Sequence, residues 1–230
     1  MRFFGEGMKL TLIYFNIPFW RAEIIRLALF IGNIEFEDRR ITGEEFQRVK
    51  VKGELDDGTK IPFHQFPCFL VNGISIAQTG GIARFCGKLS GLYPKNDDLL
   101  CAQIDQFIDI CTDINVLIST TAKIGNDDLR IQRRKELFNG DLSRKLEILN
   151  KYIKEDYEWI CGPDVGLTIA DLAIWRLIGW ISSGMLDGIP TNFLENLPNI
   201  KRVCRSVEDN QKVQEWIKKT YPENYLRGHY

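Results

Sequence analysis

Pro67 stands at the head of a short strand, and it restricts what the surrounding chain can become. Phe69-Leu70-Val71 has the aromatic and β-branched bias of a strand, and Asn72-Gly73 turns it into a second one, Ile74-Ser75-Ile76. A proline has no N–H to give a sheet, so it fits only at the head of such a strand. A cis Phe66–Pro67 bond there turns the backbone N–H and C=O of Phe66 outward, open to antiparallel pairing with a peptide-like ligand. Gln78-Thr79 then opens a helix, whose free N–H groups and dipole favour a carboxylate. Together these features imply a site for a small acidic peptide.

The hairpin sits in a stretch where strand and helix signals alternate. Residues 10–15 read as a short apolar strand, and residues 22–31 carry a helical apolar stripe with Arg21, Glu23 and Arg26 on its flanks. Residues 34–41 alternate like a half-buried strand, and residues 44–50 suit a short helix. Residues 52–60 have neither period, and their Gly and Asp content marks a loop. A helix over 79–86 completes the order β-α-β-α-β-β-α, that of a thioredoxin-like α/β unit. From Asp97 onward only helical signals remain. Asp97-Asp98 starts a helix with Ile104, Phe107, Ile108, Cys111 and Ile114 on its apolar side. Residues 129–153 form a long helical stretch with a break near Asn139-Gly140. Thr168-Ile169-Ala170-Asp171 is a capping box ahead of an apolar helix to residue 181, and 197–207 and 213–220 follow. The expected organisation is a thioredoxin-like domain over 9–89 and an all-α domain over 97–221, joined by a linker at 89–94.

Composition excludes several classes of function. A formal net charge of −1 gives no electrostatic footprint for nucleic acid, and the densest charge run, 130–136, reads as a solvated helix face. No apolar run approaches the roughly 18–20 residues that span a bilayer, so no membrane partner is expected. Residues 1–5 are too short for the core of a signal peptide. Six cysteines at irregular spacing give neither a C-x-x-C pair nor a zinc pattern, so no metal is expected, and buried thiols in a reducing cytoplasm are the default.

Four motifs, in order and on the expected elements, resemble those of the cytosolic glutathione transferases, most closely the sigma class. Tyr14-Phe15-Asn16 followed by Arg21-Ala22-Glu23-Ile24-Ile25-Arg26 is similar to the family's tyrosine-bearing first strand and first helix, with the turn Ile17-Pro18-Phe19-Trp20 one residue longer. Phe63-His64-Gln65-Phe66-Pro67 resembles the segment before the family's proline, with His64 where glycine is usual. Gln78-Thr79 matches a Gln-Ser pair that holds the γ-glutamyl end of glutathione. Thr168 to Asp171 matches the capping box of the second domain. The resemblance covers residues 9–221.

A free cysteine-type thiol has a pKa of ~8.5, and bringing it to ~7 takes ~2 kcal/mol of preferential thiolate stabilisation. Read from the residues alone, Tyr14 is an aromatic at a strand end. The resemblance makes it the phenol that donates to the glutathione sulfur, with Arg21 adding positive potential. By the same resemblance Lys50 meets the glycyl carboxylate, and Phe46 stands where a tryptophan is usual, keeping the stacking surface but not the indole N–H. Gln65, Phe66 and Pro67 bind the cysteinyl unit, and Gln78 and Thr79 the γ-glutamyl end. Asp105 matches an aspartate that reaches the ligand of the partner subunit, which implies a homodimer; Asp109 lies on the same face. A hydrophobic electrophile belongs between Ile17, Phe19 and Trp20 and the helix residues Phe107, Ile108 and Cys111, with Cys111 better suited to packing than to catalysis. Glutathione enters as co-substrate and no separate cofactor is implied. The activity implied is detoxifying conjugation; alternatives are a glutathione-dependent isomerase resembling prostaglandin D synthase, or a non-catalytic glutathione-binding module. Residues 51–61, longer than in sigma enzymes and with little to bury, suggest a mobile loop that orders when glutathione binds.

Overall fold

A computed structural model describes residues 7–230; the reading of residues 1–5 lies outside the described residues. The chain divides after Tyr93 into two compact units. In the first, strand β1 (Leu10–Phe15) is followed by helix α1 (Trp20–Ile31), strand β2 (Glu37–Ile41) and helix α2 (Gly43–Lys52). The hairpin strands β3 (Cys68–Val71) and β4 (Ile74–Ala77) then lead into helix α3 (Thr79–Ser90). The sheet order is β2-β1-β3-β4, with β1 and β2 parallel and the other pairs antiparallel.

Strand β1 is buried on both faces, so its side chains divide by the two-residue period. Ile13 joins Ile41, Val49, Cys68 and the edge aromatics Phe15, Phe46 and Phe66 on one side of the sheet. Leu12 and Tyr14 point to the other side, where the Arg26 guanidinium of α1 lies 5.9 Å from the Tyr14 ring centroid. Helices α1 and α3 pack against each other.

Several expectations need correction. Strand β2 begins at Glu37 rather than Ile34, because the Ile34 N–H closes the end of α1 by donating to the Leu29 carbonyl (2.9 Å). Helix α3 continues past Cys86 to Ser90, where Gly91 stops it in a left-handed conformation. Glu23 and Arg26 do not flank α1 but are buried in it. Residues 53–61 do have apolar weight to bury: Leu55 and Ile61 join the core of the unit. The same stretch folds back through the bridge between Glu54 and Lys60, and ion pairs tie Asp57 to Arg39 and Asp56 to Arg48. The stretch is thus partly core rather than a loop with nothing to bury.

In the second unit, Pro94–Tyr230, the regular elements are all helices. Its helices are α4 (Asp98–Ser119), α5 (Asp127–Leu137), α6 (Ser143–Tyr152), α7 (Ile169–Ser182), α8 (Pro198–Glu208) and α9 (Gln211–Thr220). A π turn at Phe138–Leu142 separates α5 from α6 at the expected glycine. Helix α7 is buried on nearly every side and packs against α4 and α8, as a central helix must. The run 130–136 is not wholly a solvated face, because Arg134 is buried and donates from Nε to Thr121 Oγ1 at 3.1 Å.

The residues after α9, unassigned by sequence periodicity, pack along α7. The fully buried Arg176 donates to the Arg227 carbonyl at 3.1 Å and to the Tyr225 hydroxyl at 2.8 Å. Tyr230 Oη donates to the Trp175 carbonyl at 3.1 Å. Glycine is required where the tail crosses the helix: a Cβ on Gly179 would lie 2.1 Å from Tyr230 Oη and 2.3 Å from the Arg227 carbonyl oxygen. Among the described residues no helix is long and apolar enough to cross a membrane.

Candidate functional site

Pairing register gathers the singled-out residues of the first unit at one edge of the sheet. Phe15 pairs with Ile41, Ile13 with Cys68 and Cys68 with Ala77. Tyr14, Pro67 and Gln78 therefore follow at the same edge, each one residue beyond a paired position or at its end. The Phe66–Pro67 bond is cis. Beneath this edge Phe15, Phe46 and Phe66 form an aromatic triangle, with ring centroids 5.0 to 6.3 Å apart.

Tyr14 is nearly enclosed, and burial pushes its hydroxyl up to about 12, against the pull of Arg21 and Arg26. At neutral pH it is a protonated phenol, hence a hydrogen-bond donor. Burial lowers the Arg21 guanidinium and the neighbouring phenol raises it, so these two residues act on each other although the preceding turn is long. Arg26 is the member of this region whose role sequence reasoning missed. Its guanidinium donates to Asp38, Glu23 and the carbonyls of Phe15 and Ile17, all within 3.2 Å. It thus fixes the turn that follows Tyr14. The signal was an i,i+3 Glu23–Arg26 pair inside an otherwise apolar helical stripe, where charges must be paired.

The start of α3 is open. Gln78 is the residue before the helix and has φ 69°, a left-handed backbone value that costs a side chain of its size about 1–3 kcal/mol. Thr79 is only 2% exposed, yet its hydroxyl finds no hydrogen-bond partner among the described residues. A buried hydroxyl without a partner beside free helix N–H groups is suited to an incoming carboxylate.

At the other end of the edge, Lys50 Nζ lies 4.5 Å from the Phe46 ring centroid. Gln65 is exposed beside it in sequence to Phe66. Phe63 and His64 both adopt positive φ, 58° and 53°. That backbone explains why glycine suits position 64.

The residues expected around a hydrophobic substrate divide. Ile17 is 46% exposed and Phe19 half-buried, so both present surface. Trp20, Ile108 and Cys111 expose none and serve as packing, and Phe107 is nearly covered. Burial also pushes the Cys111 thiol far up, which leaves it inert. Asp105 is half-buried and Asp109 exposed on α4, in the second unit.

Comparison with known proteins adds independent findings. A family model described as the glutathione S-transferase C-terminal domain matches residues 113–220. A glutathione S-transferase of Anopheles gambiae is 29% identical over 210 residues, 90% of this chain and 94% of that one. The hematopoietic prostaglandin D synthase of Mus musculus is 29% identical over 209 residues, with the same coverage of 90% and 94%. Among solved structures, rat hPGDS complexed with a quinoline matches with a TM-score of 0.76 at 25% identity, covering 94% of this chain and 100% of that one.

Proposed function

We propose that this chain, which resembles the glutathione transferases in its second unit and along most of its length, is a cytosolic glutathione transferase that activates glutathione as the thiolate and conjugates it to hydrophobic electrophiles. The observation that carries the reading is Tyr14: an enclosed phenol that keeps its proton at neutral pH, at the sheet edge shared by Pro67 and Gln78. The sulfur gives its proton to solvent and accepts a hydrogen bond from Tyr14 Oη. The resulting anion attacks an electrophilic carbon, forming the C–S bond as the leaving group departs with its electron pair. Arg21 adds positive potential. Gln78, Thr79 and the helix start hold the γ-glutamyl carboxylate, the Phe66 backbone and Gln65 hold the cysteinyl unit, and Lys50 meets the glycyl carboxylate. Ile17 and Phe19 border the electrophile. No cofactor beyond the co-substrate is required, and the cytoplasm, where glutathione is the main thiol, is the compartment we assign.

Tyr14→Phe tests the reading. It should lower kcat for conjugation to a chloro-dinitrobenzene roughly tenfold or more and raise the pKa of bound thiol, with little change in glutathione affinity. Unchanged turnover would remove Tyr14 from the mechanism. A second reading, glutathione-dependent isomerisation, is favoured by the prostaglandin D synthase relative, which is as similar as the transferase. It uses the same thiolate and would show as isomer formation with no consumption of glutathione. Within this reading the chain is a sigma-like homodimer in which Asp105 reaches the partner's ligand. A fully active monomer in sedimentation at micromolar concentration would defeat the dimer.

A further inference from the structure

His64 joins the two halves of the glycyl end of the site. Its Nδ1 lies 3.2 Å from the Lys50 carbonyl oxygen. Lys50 is in the last turn of α2, where carbonyls lose their intrahelical partners. A carbonyl only accepts, so Nδ1 carries the hydrogen and donates it. The far side of the ring rests on Gly53, the residue that closes α2: a Cβ there would lie 2.4 Å from Nε2. Covalently, His64 precedes Gln65. One imidazole therefore fixes the backbone of Lys50 relative to that of Gln65.

A glycine would hold φ 53° without strain, so the imidazole is what the histidine adds at this position. Phe46 has no N–H to offer a carboxylate, and its ring carries the Lys50 ammonium on its face. The lysine is thus braced twice, at its head by Phe46 and at its backbone by His64. Resting on the reading of Lys50 and Gln65 as glutathione contacts, we propose that His64 is a positioning residue that sets selectivity for the glycyl carboxylate of glutathione. It touches no reacting atom; it holds Lys50 where that carboxylate arrives.

The test compares glutathione with γ-glutamylcysteine, which lacks the glycyl residue, by calorimetric titration of the full chain. His64→Gly relieves the left-handed strain, so it should fold at least as well as the wild type. It should weaken glutathione binding about fivefold, the size of a lost hydrogen bond, and leave γ-glutamylcysteine binding and kcat within about twofold. His64→Asn, which tolerates positive φ and keeps an N–H donor, should recover part of the glutathione preference. An unchanged preference in His64→Gly overturns the proposal, and so does equal weakening of both peptides, which would mark a merely structural role. A wild-type chain that binds neither peptide overturns the proposed function along with this inference.

Discussion

Two buried threonines stand at two helix starts, and they are finished differently. Thr168, ahead of α7, is 2% exposed; its hydroxyl donates to Asp171 at 2.6 Å and its N–H to the same carboxylate at 2.8 Å. Asp171 also accepts from the Ile160 N–H at 2.8 Å, so this helix start is sealed by its own chain. Thr79, at the start of α3, is equally buried, but its hydroxyl has no partner among the described residues and the preceding Gln78 is strained. A helix start that satisfies itself contributes to folding. One that leaves a buried hydroxyl unmatched keeps a polar group to offer an incoming ligand.

The contrast can be broken most forcefully at the sealed end. Asp171→Ala strips three hydrogen bonds from a fully buried position and should cost about 3 kcal/mol in denaturant unfolding. In the folded fraction, glutathione affinity should be unchanged. Burial pushes the Asp171 carboxyl from 3.8 up to about 6, against those hydrogen bonds. Protonation is thus easier in the folded state, and this group's contribution to stability is full below pH 3.8 and is lost as pH rises through 6. The stability lead of the wild type over Asp171→Asn should therefore shrink across that window, and a lead that grows would reverse the assignment.

At the open end the signature inverts. Thr79→Val should leave the melting curve nearly unchanged, since no hydrogen bond is lost, and should weaken glutathione binding about tenfold. A destabilised variant with wild-type affinity would make Thr79 a structural cap like Thr168. The smallest effect belongs to a third start, that of α2, where Thr42 and Glu45 form a capping box in contact with solvent. Thr42→Ala should cost about 0.5–1 kcal/mol, because water replaces much of what an exposed cap supplies. A cost equal to that of Asp171→Ala would mean that burial does not grade these caps.

The sealed start of α7 was legible because a capping box is written in four consecutive residues, Thr168 to Asp171; the box at Thr42 to Glu45 was passed over. The hairpin was legible for the same reason, with Asn72-Gly73 between two short strands. The open start was legible as a helix start that favours a carboxylate, and the resemblance added the γ-glutamyl end; the burial of the Thr79 hydroxyl without a partner among the described residues was not legible. What escaped was set by distant partners. Leu55 looks isolated in a polar stretch until the fold brings it to Ile41 and Val49. Arg26 looks like a flank until Asp38 arrives from β2. His64 looks like a departure from pattern until its ring meets Lys50 and Gly53. Trp20, Ile108 and Cys111 have the apolar character of pocket walls, and only their burial shows that they face inward.

The contact between α7 and the residues after α9 fixes an order of events during synthesis. Helix α7 is translated about forty residues before the Tyr225 hydroxyl and Arg227 carbonyl that receive the Arg176 guanidinium. Until those later residues have left the ribosome, the guanidinium has to remain hydrated, and the groove over Gly179 stands open. The central helix therefore cannot reach its final environment when it is first made. The second unit completes itself only when residues 225–230 lie down across α7 at Gly179, where no side chain is in their way.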